Sequence, residues 1–189
     1  MSRWTAIRQA KAWLERQPLY LDTETTGLSE EAEVIEIAIV DAEGRPLVNT
    51  LIRPQTTVPP DAARVHGLTN AILQGAPTWP EVWPQIQAAM AGRLVLIYNV
   101  DFDVRLMQQT SARYGIPFDI PGVEFGDLLT LYSEFKGARG SDGSLRRWRL
   151  EQVGRELQIP IPNSHRALDD TLLAREVHRK IAAQPLPWG

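Results

Sequence analysis

The sequence lacks cysteine altogether and carries only three histidines among its 189 residues. Without thiols the chain can form neither a disulfide framework nor a zinc site built on thiolates. No run of about 18 apolar residues occurs, so no transmembrane helix is expected, and residues 1–4 lack the apolar core of a secretory signal. Together these absences favour a cytoplasmic protein.

An excess of positive charge is also missing, because 23 Asp and Glu residues outnumber 20 Lys and Arg residues and give a net charge of −3. This balance excludes a protein that coats nucleic acid with a wholly basic surface, but it leaves room for one local phosphate-binding patch. Five basic side chains against one acid are concentrated in residues 136–149: Lys136, Arg139, Arg146, Arg147 and Arg149 against Asp142. The run is either such a patch or a solvated loop and helix face.

The length fits one domain with a sizeable core. Periodicity predicts an amphipathic helix over residues 2–16, so that residues 1–17 form a helix packed on a single domain of residues 18–189. Apolar runs predict strands at 19–24, 34–41, 47–53, 94–98 and 123–125, and helical spacing predicts helices at 79–90, 101–114, 128–135, 145–157 and 166–183. Residues 42–46 suit a hairpin, so the expected fold is α/β with an antiparallel start to the sheet.

Two carboxylates end the first predicted strand. Asp22 and Glu24 present them side by side, because residues two apart on a strand share a face. Like charges at this spacing repel unless a cation lies between them, and carboxylate oxygens suit Mg²⁺ or Mn²⁺. The same spacing recurs at Asp41 and Glu43, where the hairpin turn leaves acids simply solvated. Only the first pair ends an apolar strand and precedes the turn at residues 25–28.

Two further acidic segments lie at predicted helix starts. Residues 98–103 follow a strand, with Asn99 as a candidate N-cap. Residues 165–170 open the last helix, with Asn163 or Ser164 as the candidate cap. Acids in a first helical turn are also explained by the helix dipole, so each segment taken alone has a purely structural explanation.

In order, the three segments read Asp-x-Glu on a strand, Asn-x-x-Phe-Asp at a helix start, and a late His-x-Ala-x-x-Asp. This combination resembles the DEDDh exonucleases, the family of polymerase proofreading subunits, ribonuclease T and oligoribonuclease, over residues 18–181. The resemblance implies a ribonuclease H-like mixed sheet of about five strands flanked by helices. It also implies a 3′→5′ exonuclease that uses two Mg²⁺ or Mn²⁺ ions and releases nucleoside 5′-monophosphates.

The resemblance assigns metal ligation to four carboxylates and base catalysis to one histidine: Asp22, Glu24, Asp103 and Asp170, with His165 as the base. Asp103 is chosen over Asp101 because it follows the Asn-x-x-Phe element. Asp170 is chosen over Asp169 because it lies five positions after the histidine. Since five residues turn a helix by about 140°, His165 must lie at or before the start of that helix to face the same ions.

Substrate contacts are predicted at three places. The resemblance places the terminal nucleotide against the turn at residues 25–28 (Thr25, Thr26, Gly27 and Leu28), near His66 and near Asn99, whereas charge alone adds Arg146 and Arg147. Leu28 is either an apolar wedge against the last base or a core leucine after a turn. The second motif reads Tyr98-Asn99-Val100 where the family commonly has His-Asn-Ala, which leaves the metal ligand untouched.

Three functions compete at this stage. The favoured one is an exonuclease acting on single-stranded or frayed DNA 3′ ends, with a polymerase or repair partner or alone. The second is an RNA exonuclease of the ribonuclease T or oligoribonuclease kind, and the choice depends on contacts to the 2′-position that no motif reveals. The third, a non-catalytic nucleic-acid-binding module, has no need of five costly groups. Core positions are predicted for Trp79, Trp83 and Trp148, and a surface position for His178.

Overall fold

The computed structural model describes residues 2–160 and 165–187 and contains a five-stranded mixed sheet in the order β3-β2-β1-β4-β5. Its strands are β1 (Leu19–Thr25), β2 (Val34–Val40), β3 (Pro46–Leu51), β4 (Leu94–Ile97) and β5 (Glu124–Asp127). The helices in those ranges are α1 (Arg3–Glu15), α2 (Pro60–His66), α3 (Asn70–Leu73), α4 (Trp79–Met90), α5 (Val100–Arg113), α6 (Leu128–Lys136), α7 (Leu150–Glu156) and α8 (Ala167–Ala182). Across the described ranges, no helix combines the length and the apolar character that a bilayer crossing requires.

Strand β1 lies at the centre of the sheet, antiparallel to β2 and parallel to β4. Strands β2 and β3 form the predicted antiparallel hairpin, and β4 pairs in parallel with β5. The carboxyl ends of β1, β4 and β5 therefore meet at one edge, the usual position of a site in an α/β sheet. The predicted mixed sheet with an antiparallel start is confirmed.

Alternation along β1 divides its side chains between two cores. Leu19 and Leu21 point into the layer formed with α4 and α5, whereas Tyr20 points into the layer formed with α1, α6 and α8. Strand β2 is buried along its whole length, as expected of a strand covered on both faces. Trp79 and Trp83 stack with ring centroids 5.5 Å apart inside the first layer, so their predicted core position is correct.

Two local predictions differ from the structure. The predicted helix over residues 145–157 begins only at Leu150, because Leu145 forms a β-bridge with Arg139 and the Arg146 N–H donates to the Ala138 carbonyl. These bonds occupy backbone groups that a helix would need. The short helices α2 and α3 are absent from the sequence-based prediction, and α2 starts with proline at its first position, where no N–H is required.

His178 is fully buried, so its predicted surface position is wrong. Helix α1 covers this side of α8: the His178 Nε2–H donates to the Ala10 carbonyl at 2.9 Å, and Nδ1 lies 2.8 Å from the Tyr20 hydroxyl. Since the Ala10 carbonyl can only accept, Nε2 carries the proton of the neutral ring, and Nδ1 accepts a hydrogen bond from the Tyr20 hydroxyl. Burial lowers the pKa of His178 to about 4.

Replacement of this histidine tests the packing. We expect His178→Ala to lower the free energy of unfolding by about 2–4 kcal/mol, because it opens a cavity and leaves the Tyr20 hydroxyl and the Ala10 carbonyl unpaired. The difference in the free energy of unfolding between the wild type and His178→Ala should also shrink as pH falls from 6.5 towards about 4, since the unfolded histidine then binds a proton that the buried one does not bind. Urea denaturation across that range measures both effects. His165→Ala, at an exposed position, is the control, and equal midpoints for both variants would contradict the prediction.

Candidate active site

Three carboxylates from two elements converge beyond the end of β1. Asp22 and Glu24 follow Tyr20 on the face covered by α8, and Asp170 lies in the first turn of that helix. One oxygen of each carboxylate can be chosen so that all three lie within 4.8 Å of one another. Hard oxygen donors at this spacing fit a divalent cation such as Mg²⁺ or Mn²⁺.

Asp103 reaches the same region from the other face of β1. Thr23 points away from Asp22 and towards α5, where its N–H and hydroxyl donate to Asp103 Oδ1 at 3.1 Å and 2.7 Å. Asp103 is 3% exposed, whereas Asp101 on the same helix is exposed. Asp103, and not Asp101, is therefore the acid of this helix whose charge adds to the raised pKa of Asp22.

All four carboxyl groups are harder to ionise than ordinary acids. Burial is the largest cause in every case and raises the pKa of Glu24 to about 8, of Asp103 to about 7 and of Asp170 to about 6, with Asp22 raised well above its usual range. For Asp22 and Glu24, repulsion by the neighbouring carboxylates adds to burial. A bound cation would relieve both effects.

His165 lies two residues before α8 begins, as its spacing from Asp170 requires. Its backbone has φ of 68°, in the left-handed region, and its N–H donates to Asp170 Oδ2 at 3.2 Å. The ring Nε2 lies 3.2 Å from Glu151 Oε1 on α7. The candidate caps Asn163 and Ser164 lie outside the described residues.

Glu36 is a supporting residue that the sequence analysis missed. It lies directly opposite Glu24 on β2, is buried, and accepts from Arg166 Nη2 at 2.7 Å and from the Ala167 N–H at 3.0 Å. These bonds fasten the start of α8 to the sheet between His165 and Asp170. The sequence offered one sign of this role, because Glu36 is the single charged residue in the otherwise apolar run of residues 34–40.

Asp127 is a second missed residue, and it corrects the role of Asn99. Asn99 occupies the N-cap position of α5 but makes no side-chain cap bond, because its backbone is left-handed with φ of 70°. Its N–H instead donates to Asp127 Oδ1 at 3.0 Å, while its side-chain oxygen accepts from Arg147 Nη2 at 2.6 Å. Asp127 also caps α6 through the N–H groups of Leu129 and Thr130.

Two cavities flank the carboxylates. One, of about 640 Å³, is lined by residues 23–29 together with His66 and Phe102. Leu28 is 78% exposed at this cavity, which excludes the core-leucine alternative. His66 is buried and donates from Nε2 to the Thr25 carbonyl at 3.2 Å, so it holds the turn from behind.

The other cavity, of about 570 Å³, contains the Asp22 and Asp170 side of the cluster and is lined further by Arg147, Trp148 and Arg149. The Tyr98 hydroxyl donates to the Trp148 carbonyl at 2.7 Å and ties this segment to the end of β4.

The other basic residues of the 136–149 run have different neighbours. Lys136 pairs with Glu156 on α7, and Arg146 stacks on Trp148 at 4.3 Å from its ring centroid. Trp148 is half-buried against the α1–α6–α8 core, consistent with the predicted packing role, while it also lines the cavity.

A mixed sheet in this order, with carboxylates gathered at the end of its central strand, defines a nuclease of the ribonuclease H-like class. The chain belongs to the RNase T exonuclease family, whose model matches residues 19–177. The resemblance to DEDDh exonucleases seen in the motifs is thereby confirmed.

Relatives of known sequence and structure agree with this assignment. The chain is 32% identical over 171 residues to the uncharacterized exonuclease CP81 of Escherichia phage 186, covering 88% of each chain. It is 31% identical to the DNA polymerase III subunit epsilon of Aquifex aeolicus, over 85% of this chain and 78% of that one. Among solved structures, the nuclease domain of 3′hExo, a DEDDh family member bound to rAMP, superimposes with a TM-score of 0.70 at 16% identity, over 87% and 90% of the two chains. Exonuclease I gives a TM-score of 0.72 at 17% identity, and the chain spans only 40% of its length.

The raised pKa values predict how the metal-free protein responds to pH. Folded Glu24 and Asp170 keep protons that the unfolded chain has lost above about pH 4.5. The free energy of unfolding should therefore fall as pH rises from about 4.5, first through the pKa of folded Asp170 at about 6 and then through that of folded Glu24 at about 8. Mg²⁺ or Mn²⁺ should restore the stability at the upper end, where ionised carboxylates repel most. Thermal melts in chelator and in metal measure this. Glu24→Gln should flatten the pH dependence and reduce the metal effect, and a melting temperature indifferent to both pH and metal would refute the cation site.

Proposed function

We propose that the protein is a 3′→5′ exonuclease that hydrolyses phosphodiester bonds at single-stranded or frayed DNA 3′ ends and releases nucleoside 5′-monophosphates with the help of two Mg²⁺ or Mn²⁺ ions. The observation that carries the proposal is the convergence of Asp22, Glu24 and Asp170 oxygens within 4.8 Å, with Asp103 near enough for its charge to act on Asp22. Like-charged groups with raised pKa values are costly without a cation. Membership of an exonuclease family supports the reaction class.

Each residue then has a defined task. Four carboxylates would hold the ions: Asp22, Glu24, Asp103 and Asp170. Bound divalent ions would polarise the phosphodiester, lower the pKa of the attacking water and offset charge on the leaving 3′-oxygen. His165 accepts the proton of the water as its oxygen bonds to phosphorus and the P–O3′ bond breaks. The 3′-oxygen takes a proton from solvent as it leaves, so that it departs as a hydroxyl, and His165 afterwards releases its own proton to solvent.

The terminal nucleotide is proposed to occupy the 640 Å³ cavity. Its base would lie against Leu28 and Val65, two exposed apolar side chains that line this cavity, with Phe102 further in. Apolar contact with a base face tolerates any sequence. His66 contributes by holding the Thr25 carbonyl, so the turn that lines the cavity keeps its shape when empty.

The upstream strand is proposed to cross the carboxylates towards the 570 Å³ cavity. Arg147 and Arg149 line that side, and the Arg147 guanidinium is already oriented by Asn99. Arginine forks suit phosphate oxygens. A strand bound across both cavities must be unpaired near its end, which favours single-stranded or frayed substrates.

DNA is proposed over RNA because a curated relative is a DNA polymerase III subunit, and a structural neighbour of the same fold was solved with a dA16 oligonucleotide. The subunit relationship also supports a polymerase partner. RNA is the second candidate, favoured by the neighbour that was solved with rAMP. A cytoplasmic location remains the expectation drawn from composition.

End-labelled oligonucleotides test polarity, substrate and the central ligand together. A 5′-labelled single strand with Mg²⁺ should give a descending ladder, with DNA degraded faster than the matched RNA. Asp22→Asn should abolish the ladder while the metal-free variant melts at the same temperature or higher, because one repelling charge is gone. Glu43→Ala, at the other Asp-x-Glu in the hairpin turn beside Arg45, is the matched control and should keep full activity. Immediate release of a labelled mononucleotide would show the opposite polarity.

The basic segment is tested separately. Arg146→Ala with Arg147→Ala should weaken binding of a long single strand and reduce the log–log salt slope by about 0.7 for each phosphate that these side chains neutralise in the wild type. Hydrolysis of a small chromogenic phosphodiester should change much less than hydrolysis of a long strand, since it has no upstream phosphates for these arginines to neutralise. Arg8→Ala on α1 removes an exposed arginine elsewhere and serves as the control. Unchanged affinity for a long strand at low salt would leave the segment a solvated surface.

A further inference from the structure

Glu151 is the third carboxylate that lines the 570 Å³ cavity, beside Asp22 and Asp170, and the motifs give it no role. It lines the 570 Å³ cavity with Asp22, His165 and Asp170, and its charge adds to the raised pKa of Asp170. It is not one of the three residues whose oxygens converge within 4.8 Å. Its contact is with the imidazole instead: Glu151 Oε1 lies 3.2 Å from His165 Nε2.

The position of Glu151 is fixed by its helix. Residue 151 lies in the first turn of α7, whose Val153 is fully buried in the α1–α6–α8 core. The segment before the helix is tied down by the Tyr98 hydroxyl, which donates to the Trp148 carbonyl, and by the Arg149 N–H, which donates to Gln152 Oε1 at 3.1 Å. A carboxylate that is held in place by these contacts can orient the exposed His165 ring that it touches.

His165 is a side chain that needs orientation. It is 46% exposed and lies before α8 on a left-handed backbone, which is unfavourable for a non-glycine residue. Its backbone is held at one end by the bond to Asp170 Oδ2. The bond to Glu151 holds the ring at the other end, so the two contacts together define where the imidazole lies.

We propose that Glu151 is a positioning residue that holds the His165 ring through Nε2–H, so that Nδ1 carries the lone pair which accepts the proton of the attacking water. A neutral imidazole has one donor and one acceptor nitrogen, and a carboxylate can only accept, so the bond selects this tautomer. The inference rests on the proposed function, since it assumes that His165 is the base. Without the bond, the ring spends part of its time in unproductive orientations, which lowers turnover and not substrate binding.

The decisive variant is Glu151→Ala, assayed on a short single-stranded oligonucleotide at saturating metal. We expect kcat to fall on the order of tenfold with KM unchanged, in the range found for residues that orient an active-site group. Glu151→Gln keeps an oxygen that can accept from Nε2–H and should recover part of the loss. Glu156→Ala, five residues further along α7 and paired with Lys136, is the matched control and should retain wild-type kcat. Wild-type kcat in Glu151→Ala overturns the proposal.

Combining Glu151→Ala with His165→Ala shows whether Glu151 acts on catalysis through the His165 ring or through other groups. If Glu151 acts only through the ring, Glu151→Ala should cost nothing further on the residual rate of His165→Ala. An equal loss in both backgrounds would mean that Glu151 acts on Asp170 or on the ions and would overturn the positioning role. Nitrogen-15 NMR of the His165 ring should show Nε2 protonated in the wild type and a mixture of tautomers in Glu151→Ala. A wild-type ring protonated on Nδ1 alone also contradicts the proposal.

Different results would overturn the proposed function itself. Full activity of His165→Ala, or no metal-dependent hydrolysis by the wild type, would remove the base or the reaction itself. If His165→Ala is strongly impaired while Glu151→Ala matches the wild type, only the role of Glu151 is lost.

Discussion

Repulsion among partly buried carboxylates is the constraint on which the arrangement of the active-site edge depends. Asp22, Glu24 and Asp170 bring negative charge together where water cannot fully solvate it, and their pKa values rise accordingly. The neighbouring structure limits the cost. Glu36, directly opposite Glu24, is neutralised by Arg166, and Asp103 is satisfied by two bonds from Thr23. Among the residues that the structure describes, the negative charge of Asp22, Glu24 and Asp170 has no such partner, and a bound cation would neutralise it.

The central strand makes this arrangement possible through simple alternation. Successive side chains of β1 face opposite layers, so Asp22 and Glu24 meet α8, whereas Thr23 meets α5. The central strand thereby brings carboxylates from the start, the middle and the end of the sequence to one edge of the sheet: Asp22 and Glu24, Asp103, and Asp170. The two cavities follow from the same geometry, because each lies on its own side of the carboxylates.

Sequence reasoning succeeded where the determining interactions are local. The period of two along residues 19–24 placed Asp22 and Glu24 on one face, and the angular spacing between His165 and Asp170 placed the histidine ahead of its helix. It failed where the deciding partner lies far along the chain. His178 is buried because Ala10 and Tyr20 cover it, and no pattern within residues 166–183 records that contact.

Long-range contacts also explain why the sequence did not reveal the supporting residues Glu36 and Asp127. Glu36 and Asp127 act through bonds to residues 166–167 and 99, which become neighbours only after the sheet forms. The segment before α7 looked helical because its composition allows a helix, but the bridge between Arg139 and Leu145 occupies its backbone. Glu151 is also invisible to motif reasoning, since its role depends on a ring that lies 14 positions further along the chain.

The contribution of α8 to the cluster has a consequence for biosynthesis. Asp22, Glu24 and Asp103 leave the ribosome well before residues 165–170, and Glu36 has no arginine partner until Arg166 arrives. A nascent chain that still lacks residues 165–182 has neither Asp170 of the proposed cation site nor the proposed base His165, and its Glu36 has no arginine partner. Under the proposed function, hydrolytic capacity would therefore arise in one late step, when α8 docks on the sheet.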